Sequence, residues 1–201
     1  MGFPSVLTIA HRLVEERVRP GDAVIDATVG NGVDTVFLAK LVGPKGTVYG
    51  FDIQPEALER TRRRLIDQLG DPDRVRLHLE DHARMKSVVP PGEIGRIRAV
   101  MFNLGYLPRS DMLITTRPDT TLPALGAALD MLQDGGIVTV VLYSGHPGGR
   151  EESEAVRRWA EALDERRFEA LCFRFLNRRG DPPYLIAVEK RPTGSPRESG
   201  G

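Results

Sequence analysis

Short apolar runs alternate with helix-patterned stretches along almost the whole 201-residue chain, and that alternation is its strongest constraint on fold. The runs at 23–26, 47–52, 75–79, 97–103 and 137–143 read as strands. Helical patterning occupies 34–41, 55–69, 120–132 and 151–163, with Pro55 at a helix start, where its missing N–H costs nothing. Repeated strand–helix–strand units imply right-handed crossovers and a parallel sheet with helices on both faces. Two further strands, 168–175 and 184–189, are joined by residues 176–183, too few for a crossover helix, so they are expected to pair antiparallel. Residues 1–191 then form one domain, opened by a helix at 1–19, and the polar segment 192–201 is expected to be a disordered tail.

Composition narrows the function classes. Lys plus Arg and Asp plus Glu each number 28, so the net charge is zero and any nucleic-acid partner must find a local basic face. Arg109, Arg117, Arg150, Arg157, Arg158, Arg178 and Arg179 follow strand ends and are candidates for that face; Arg60, Arg62, Arg63 and Arg64 read as a solvated helix face. Cys172 is the only cysteine, which excludes an internal disulfide, and its apolar neighbours predict a buried strand position. The four histidines show no ligand spacing, so no metal site is expected. Met1-Gly2-Phe3-Pro4 does not read as a secretory leader, and no apolar stretch approaches membrane-spanning length. A cytoplasmic setting is the expectation.

The first strand ends in Asp26-Ala27-Thr28-Val29-Gly30-Asn31-Gly32-Val33-Asp34-Thr35. Gly30 and Gly32 permit a tight turn and a close approach of backbone to ligand, at the strand ends where open α/β sheets bind ligands. A dinucleotide fingerprint wants Gly or Ala where this chain has Thr35. Asp26 suits an ammonium group better than a pyrophosphate; the amino-acid end of S-adenosylmethionine is such a ligand. Asp34 is either a second partner of that end or a favourable charge at a helix N-terminus. Asp52 closes the second strand twenty residues after Gly32, where a carboxylate accepts from ribose hydroxyls or caps the next helix. Asp81 and His82 end the third strand, where they face an adenine edge or belong to a solvated loop. An antiparallel strand ending a seven-stranded, mostly parallel sheet is the arrangement of Rossmann-like class I methyltransferases rather than of dehydrogenases.

The fourth strand runs out into Asn103-Leu104-Gly105-Tyr106. An amine attacking a methyl sulfonium needs its N–H groups held by acceptors while its lone pair faces the methyl. The Asn103 side-chain oxygen and the Leu104 carbonyl are candidate acceptors, with Tyr106 as a flat surface beside a base. The competing interpretation is a strand-terminating Asn with a core Tyr. The fifth strand leads into Tyr143-Ser144-Gly145-His146-Pro147-Gly148-Gly149, a second glycine turn. Glu151 and Glu152 follow it and would repel an anion, so Tyr143, His146, Gly148 and Gly149, with Gly105, are candidates for shaping a substrate.

Together these segments resemble one family. The words are Asp26-Ala27-Thr28 with Gly30-Asn31-Gly32 and Asp34-Thr35, Gly50-Phe51-Asp52-Ile53-Gln54, Asn103-Leu104-Gly105-Tyr106-Leu107-Pro108, and Gly145-His146-Pro147-Gly148-Gly149. Thr115-Thr116, Thr120-Thr121-Leu122 and Pro182-Pro183-Tyr184-Leu185 match as well, so the likeness spans about residues 24–190. The family is the bacterial group labelled rRNA methylases, whose characterised members methylate 5-aminomethyl-2-thiouridine at the wobble position of transfer RNA. The resemblance implies S-adenosylmethionine as cofactor, contacts to it at Asn31, Asp34, Asp52, Gln54 and His82, and the anticodon arm of transfer RNA as partner. A monomer and a homodimer both stay open as assembly states. Val33 and Ser144 stand where the family carries His. Alternatives within reach of the same residues are an N-methyltransferase for another RNA position or a small amine, and a protein that binds RNA and cofactor without turnover.

Overall fold

A computed structural model of the chain describes residues 2–105 and 115–193. Seven strands, β1 (Ala23–Asp26), β2 (Thr47–Asp52), β3 (Val75–Leu79), β4 (Ile97–Leu104), β5 (Leu132–Leu142), β6 (Phe168–Phe173) and β7 (Tyr184–Lys190), form one sheet in the order β3-β2-β1-β4-β5-β7-β6. Strands β1 to β5 are mutually parallel, and β7 pairs antiparallel with both β5 and β6. The short β6–β7 connection produces that reversal, and β7 inserts beside β5 instead of extending the edge.

Alternation along the central strands sorts the core into two layers. Ile25, Val100, Phe102, Val138 and Val140 pack with Leu125, Ala128 and Val156 from α5 (Pro118–Met131) and α6 (Gly149–Glu161). Val24, Ala99, Met101 and Val141 pack on the other face with Val6, Ala10 and Val14 of α1 (Val6–Glu15), Leu38 of α2 (Val33–Val42) and Leu65 of α3 (Pro55–Leu69). A short helix, α4 (Met85–Val88), completes the set. The opening helix is shorter than 1–19: Ser5 caps it by accepting from the Thr8 N–H at 3.1 Å.

One burial expectation fails. Cys172 is exposed, because β6 is an edge strand whose residues 169–172 no helix covers. The tail 192–201 lies outside the described residues from position 194 onward, as do Tyr106 and Arg109. Among the described residues no helix is long and apolar enough to cross a membrane.

Candidate active site

A cavity of about 710 Å³ opens at the carboxyl ends of β1, β2 and β4, within the range of roughly 300–1,000 Å³ usual for small-molecule sites. Its floor is the glycine turn. Gly30 and Gly32 take positive φ, +52° and +74°, and a Cβ on Gly32 would meet Thr61 of α3 at 2.6 Å, so turn and helix can close up only with glycine there. The Gly30 N–H donates to Asp52 Oδ2 and the Gln54 N–H to Oδ1, each at 2.9 Å. This carboxylate thus ties the first turn to the end of β2 and retains lone pairs for a further donor on each oxygen. Burial raises the Asp52 carboxyl from its ordinary value, and the donation from Gly30 opposes that.

At the end of β3, His82 is buried, which removes the solvated-loop alternative. Its Nδ1–H donates to the Ala27 carbonyl at 3.2 Å and its ring packs edge-on to Phe102. That bond fixes the tautomer and leaves Nε2 as a buried acceptor without a hydrogen-bond partner among the described residues. Burial lowers its pKa, favouring the neutral ring. Asp81 accepts from the Ala83 N–H at 2.7 Å and lines the cavity beside it.

Asn103, at the end of the central strand β4, is anchored through both its backbone and its side chain. Its backbone N–H donates to Thr28 Oγ1 at 2.7 Å, and its side-chain Nδ2 donates to Asp34 Oδ2. Asp34 Oδ1 in turn accepts from His11 Nε2 at 2.6 Å, and the His11 ring stacks on Phe37 with centroids 3.9 Å apart. Asp34 is buried and its two oxygens serve two different side chains. The consequence lies at Asn103 Oδ1: the amide's donor end is committed to a carboxylate, and Oδ1 is a buried acceptor with no partner among the described residues. Such an atom costs roughly 1–3 kcal/mol unless something donates to it. His11 carries no motif, and only folding brings it to Asp34.

Asp26 sits beneath the turn, not on the cavity wall where its strand-end position suggests it. It is fully buried, accepting from the Thr35 hydroxyl at 2.5 Å and from the Thr28 N–H at 3.2 Å. Burial, reinforced by Asp34, raises its carboxyl from 3.8 to about 7. The folded chain therefore holds a proton that the unfolded chain has already lost between these values. Stability contributed here is present at low pH and falls as pH rises through that window. Urea unfolding from about pH 5 to about pH 8 should show this decline in the wild type and a flatter profile in Asp26→Asn. Parallel profiles would contradict the assignment.

The far rim is organised by a residue expected from sequence only to repel anions. Glu152 is buried at the start of α6 and accepts from the hydroxyls of Thr116 (2.7 Å) and Thr121 (2.6 Å). Thr116 Oγ1 in turn accepts from the Gly105 N–H at 2.9 Å. Glu152 is thus a structural anchor and not an exposed repeller of anions. Of the predicted residues, Gly30, Asn31, Asp34, Asp52, Gln54, Asp81, His82, Asn103, Leu104, Gly105 and Tyr143 line the one cavity. Asp26, Gly32, Thr35, His146, Gly148 and Gly149 lie outside its lining. His146 and Gly149 pack behind Tyr143, where a Cβ on Gly149 would meet His146 Nε2 at 2.7 Å. Val33, half-exposed, joins the wall. Among the described residues no group of three or more His, Cys, Asp or Glu could hold a metal ion.

The sheet order, the reversed β7 and the cavity over β1 and β4 define a class I, S-adenosylmethionine-dependent methyltransferase. The chain belongs to the family described as "Putative rRNA methylase", whose model matches residues 48–189. It is 43% identical to the chloroplastic "tRNA (mnm(5)s(2)U34)-methyltransferase" of Arabidopsis thaliana, over 94% of this chain and 71% of that protein. A crystal structure described as a "putative rRNA-methylase" from Clostridium thermocellum superposes with a TM-score of 0.89 at 43% identity, covering 94% of this chain and all of that one. A "putative methyltransferase" from Streptococcus mutans, solved in complex with SAH, superposes at 0.83 with 36% identity, covering 94% and 99% of the two chains.

Proposed function

We propose that this chain transfers a methyl group from S-adenosylmethionine to the aminomethyl nitrogen of 5-aminomethyl-2-thiouridine at the wobble position of transfer RNA. The observation that carries it is Asn103 Oδ1, a buried acceptor without a donor among the described residues, on a residue that lines the cavity. The name of the Arabidopsis relative supports the choice of transfer RNA, and the SAH-bound Streptococcus relative supports the choice of cofactor.

The residues present fit that cofactor. Asp52 offers lone pairs to the ribose hydroxyls, Asn31 offers backbone at the turn that Gly30 closes, and His82 Nε2 and Asp81 offer acceptors to an amino-bearing base. When bound, S-adenosylmethionine supplies an electrophilic methyl on a positively charged sulfur. Asn103 accepts one N–H of the neutral amine, so the nitrogen lone pair is turned toward that methyl. Asp34 keeps the amide from rotating, because its Oδ2 holds the Nδ2 end. The transfer leaves an extra proton on nitrogen that passes to solvent, so the scheme needs no dedicated base.

Purified protein incubated with S-adenosylmethionine and transfer RNA bearing aminomethyl-thiouridine should convert that nucleoside to its methylaminomethyl form, read by nucleoside mass spectrometry. An unchanged nucleoside would overturn the proposal. Transfer to free small amines without RNA, or cofactor binding with no transfer to any transfer-RNA pool, would replace it with the corresponding alternative.

A further inference from the structure

We infer that the β6–β7 connection is the ledge on which the RNA backbone docks; this deepens the proposed function and rests on it. The sheet register sets its position. Phe173 at the end of β6 pairs with Leu185, and Tyr184 at the start of β7 pairs with Leu142, the residue before the cavity-lining Tyr143. Residues 174–183 therefore emerge at the same rim as the cavity, three strand spacings from β4, or about 14 Å.

This connection is rich in arginine, as α3 is at Arg60, Arg62, Arg63 and Arg64. It carries Arg174, Arg178 and Arg179 against one acid, Asp181, which is paired with Arg150 at the start of α6 at 3.0 Å. Among the described residues none of the three has a carboxylate partner, whereas Arg157 and Arg158 of α6 pair with Glu161 and Glu154, and Arg63 of α3 pairs with Glu59. The connection is thus a local excess of positive charge on a chain of zero net charge. Two of its guanidinium groups are held over rings, Arg178 at 3.6 Å from the Phe175 centroid and Arg174 at 5.5 Å from that of Tyr184. Cation–π contact orders these side chains without neutralising them, so they remain able to bind phosphate. Leu176 stands beside them 94% exposed, an apolar surface for a sugar or a base.

The test compares transfer-RNA binding by the full chain, with Arg178→Ala/Arg179→Ala set against Arg62→Ala/Arg63→Ala on α3, across a salt series. The loop pair should weaken binding about tenfold or more and flatten the plot of log affinity against log salt by roughly 1.5 units, at about 0.7–0.9 per lost phosphate contact. S-adenosylmethionine affinity and thermal unfolding should not change, and Arg178→Lys/Arg179→Lys should keep most of the slope. The α3 pair should bind as the wild type does. If the wild type methylates transfer RNA and the loop pair binds it with unaltered affinity and slope, the ledge is wrong and the proposed function stands. A loss confined to the α3 pair would also overturn it. A wild type that neither binds nor methylates transfer RNA would remove both.

Discussion

Asn103→Ala should lower kcat by about one to two powers of ten while S-adenosylmethionine affinity stays close to that of the wild type. The split follows from the hydrogen bonds. The Asn103 side chain has Asp34 as its only partner among the described residues, and the Asp52 carboxylate with the Gly30 and Gln54 N–H groups it receives does not depend on it. Deleting it removes the acceptor that aims the amine and frees Asp34 Oδ2 to face the cavity, where a carboxylate would favour the protonated, unreactive amine. Single-turnover kinetics with isothermal titration of the cofactor separate the two quantities. Weaker cofactor binding with an unchanged rate at saturation would show that Asn103 belongs to the cofactor site instead.

The complementary substitution is Asp52→Ala. It should weaken cofactor affinity by about 1.5–3 kcal/mol, the usual worth of hydrogen bonds to a charged group, or roughly ten- to hundredfold. The effect should exceed that of losing ribose contacts alone, because Asp52 also receives the Gly30 and Gln54 N–H groups and so fixes the turn itself. Asp52→Asn separates the contributions: one side-chain acceptor remains for the turn, and the charge is lost. Calorimetric affinity equal to that of the wild type in both variants would place the ribose elsewhere.

The parts of this molecule that local chemistry dictates were legible in the sequence. Strands 23–26, 47–52 and 75–79 and the helix 55–69 fall at the residues expected, because each is bounded by a turn or proline whose backbone preference is set within a few positions. The glycine turn, Asp52 and Asn103 were legible for the same reason, being bound to strand ends. What was hidden depends on neighbours distant in the chain. His11 reaches Asp34 across 23 residues from an ordinary amphipathic helix. Glu152 looks like a partner for a helix dipole until Thr116 and Thr121 are brought to it from another connection. Asp26 and Cys172 mislead in opposite directions: the acid lies under the turn, and the apolar-flanked thiol stands on an uncovered edge. A strand's own composition does not reveal what will be laid over it.

A crystal structure of the chain with SAH and an RNA hairpin carrying a 5-aminomethyluridine would decide the role of Asn103. The aminomethyl nitrogen should lie within about 2.7–3.2 Å of Asn103 Oδ1, with Asn103 Nδ2 still on Asp34. An amide rotated away from the nucleoside, with the amine held by another residue, would contradict that role.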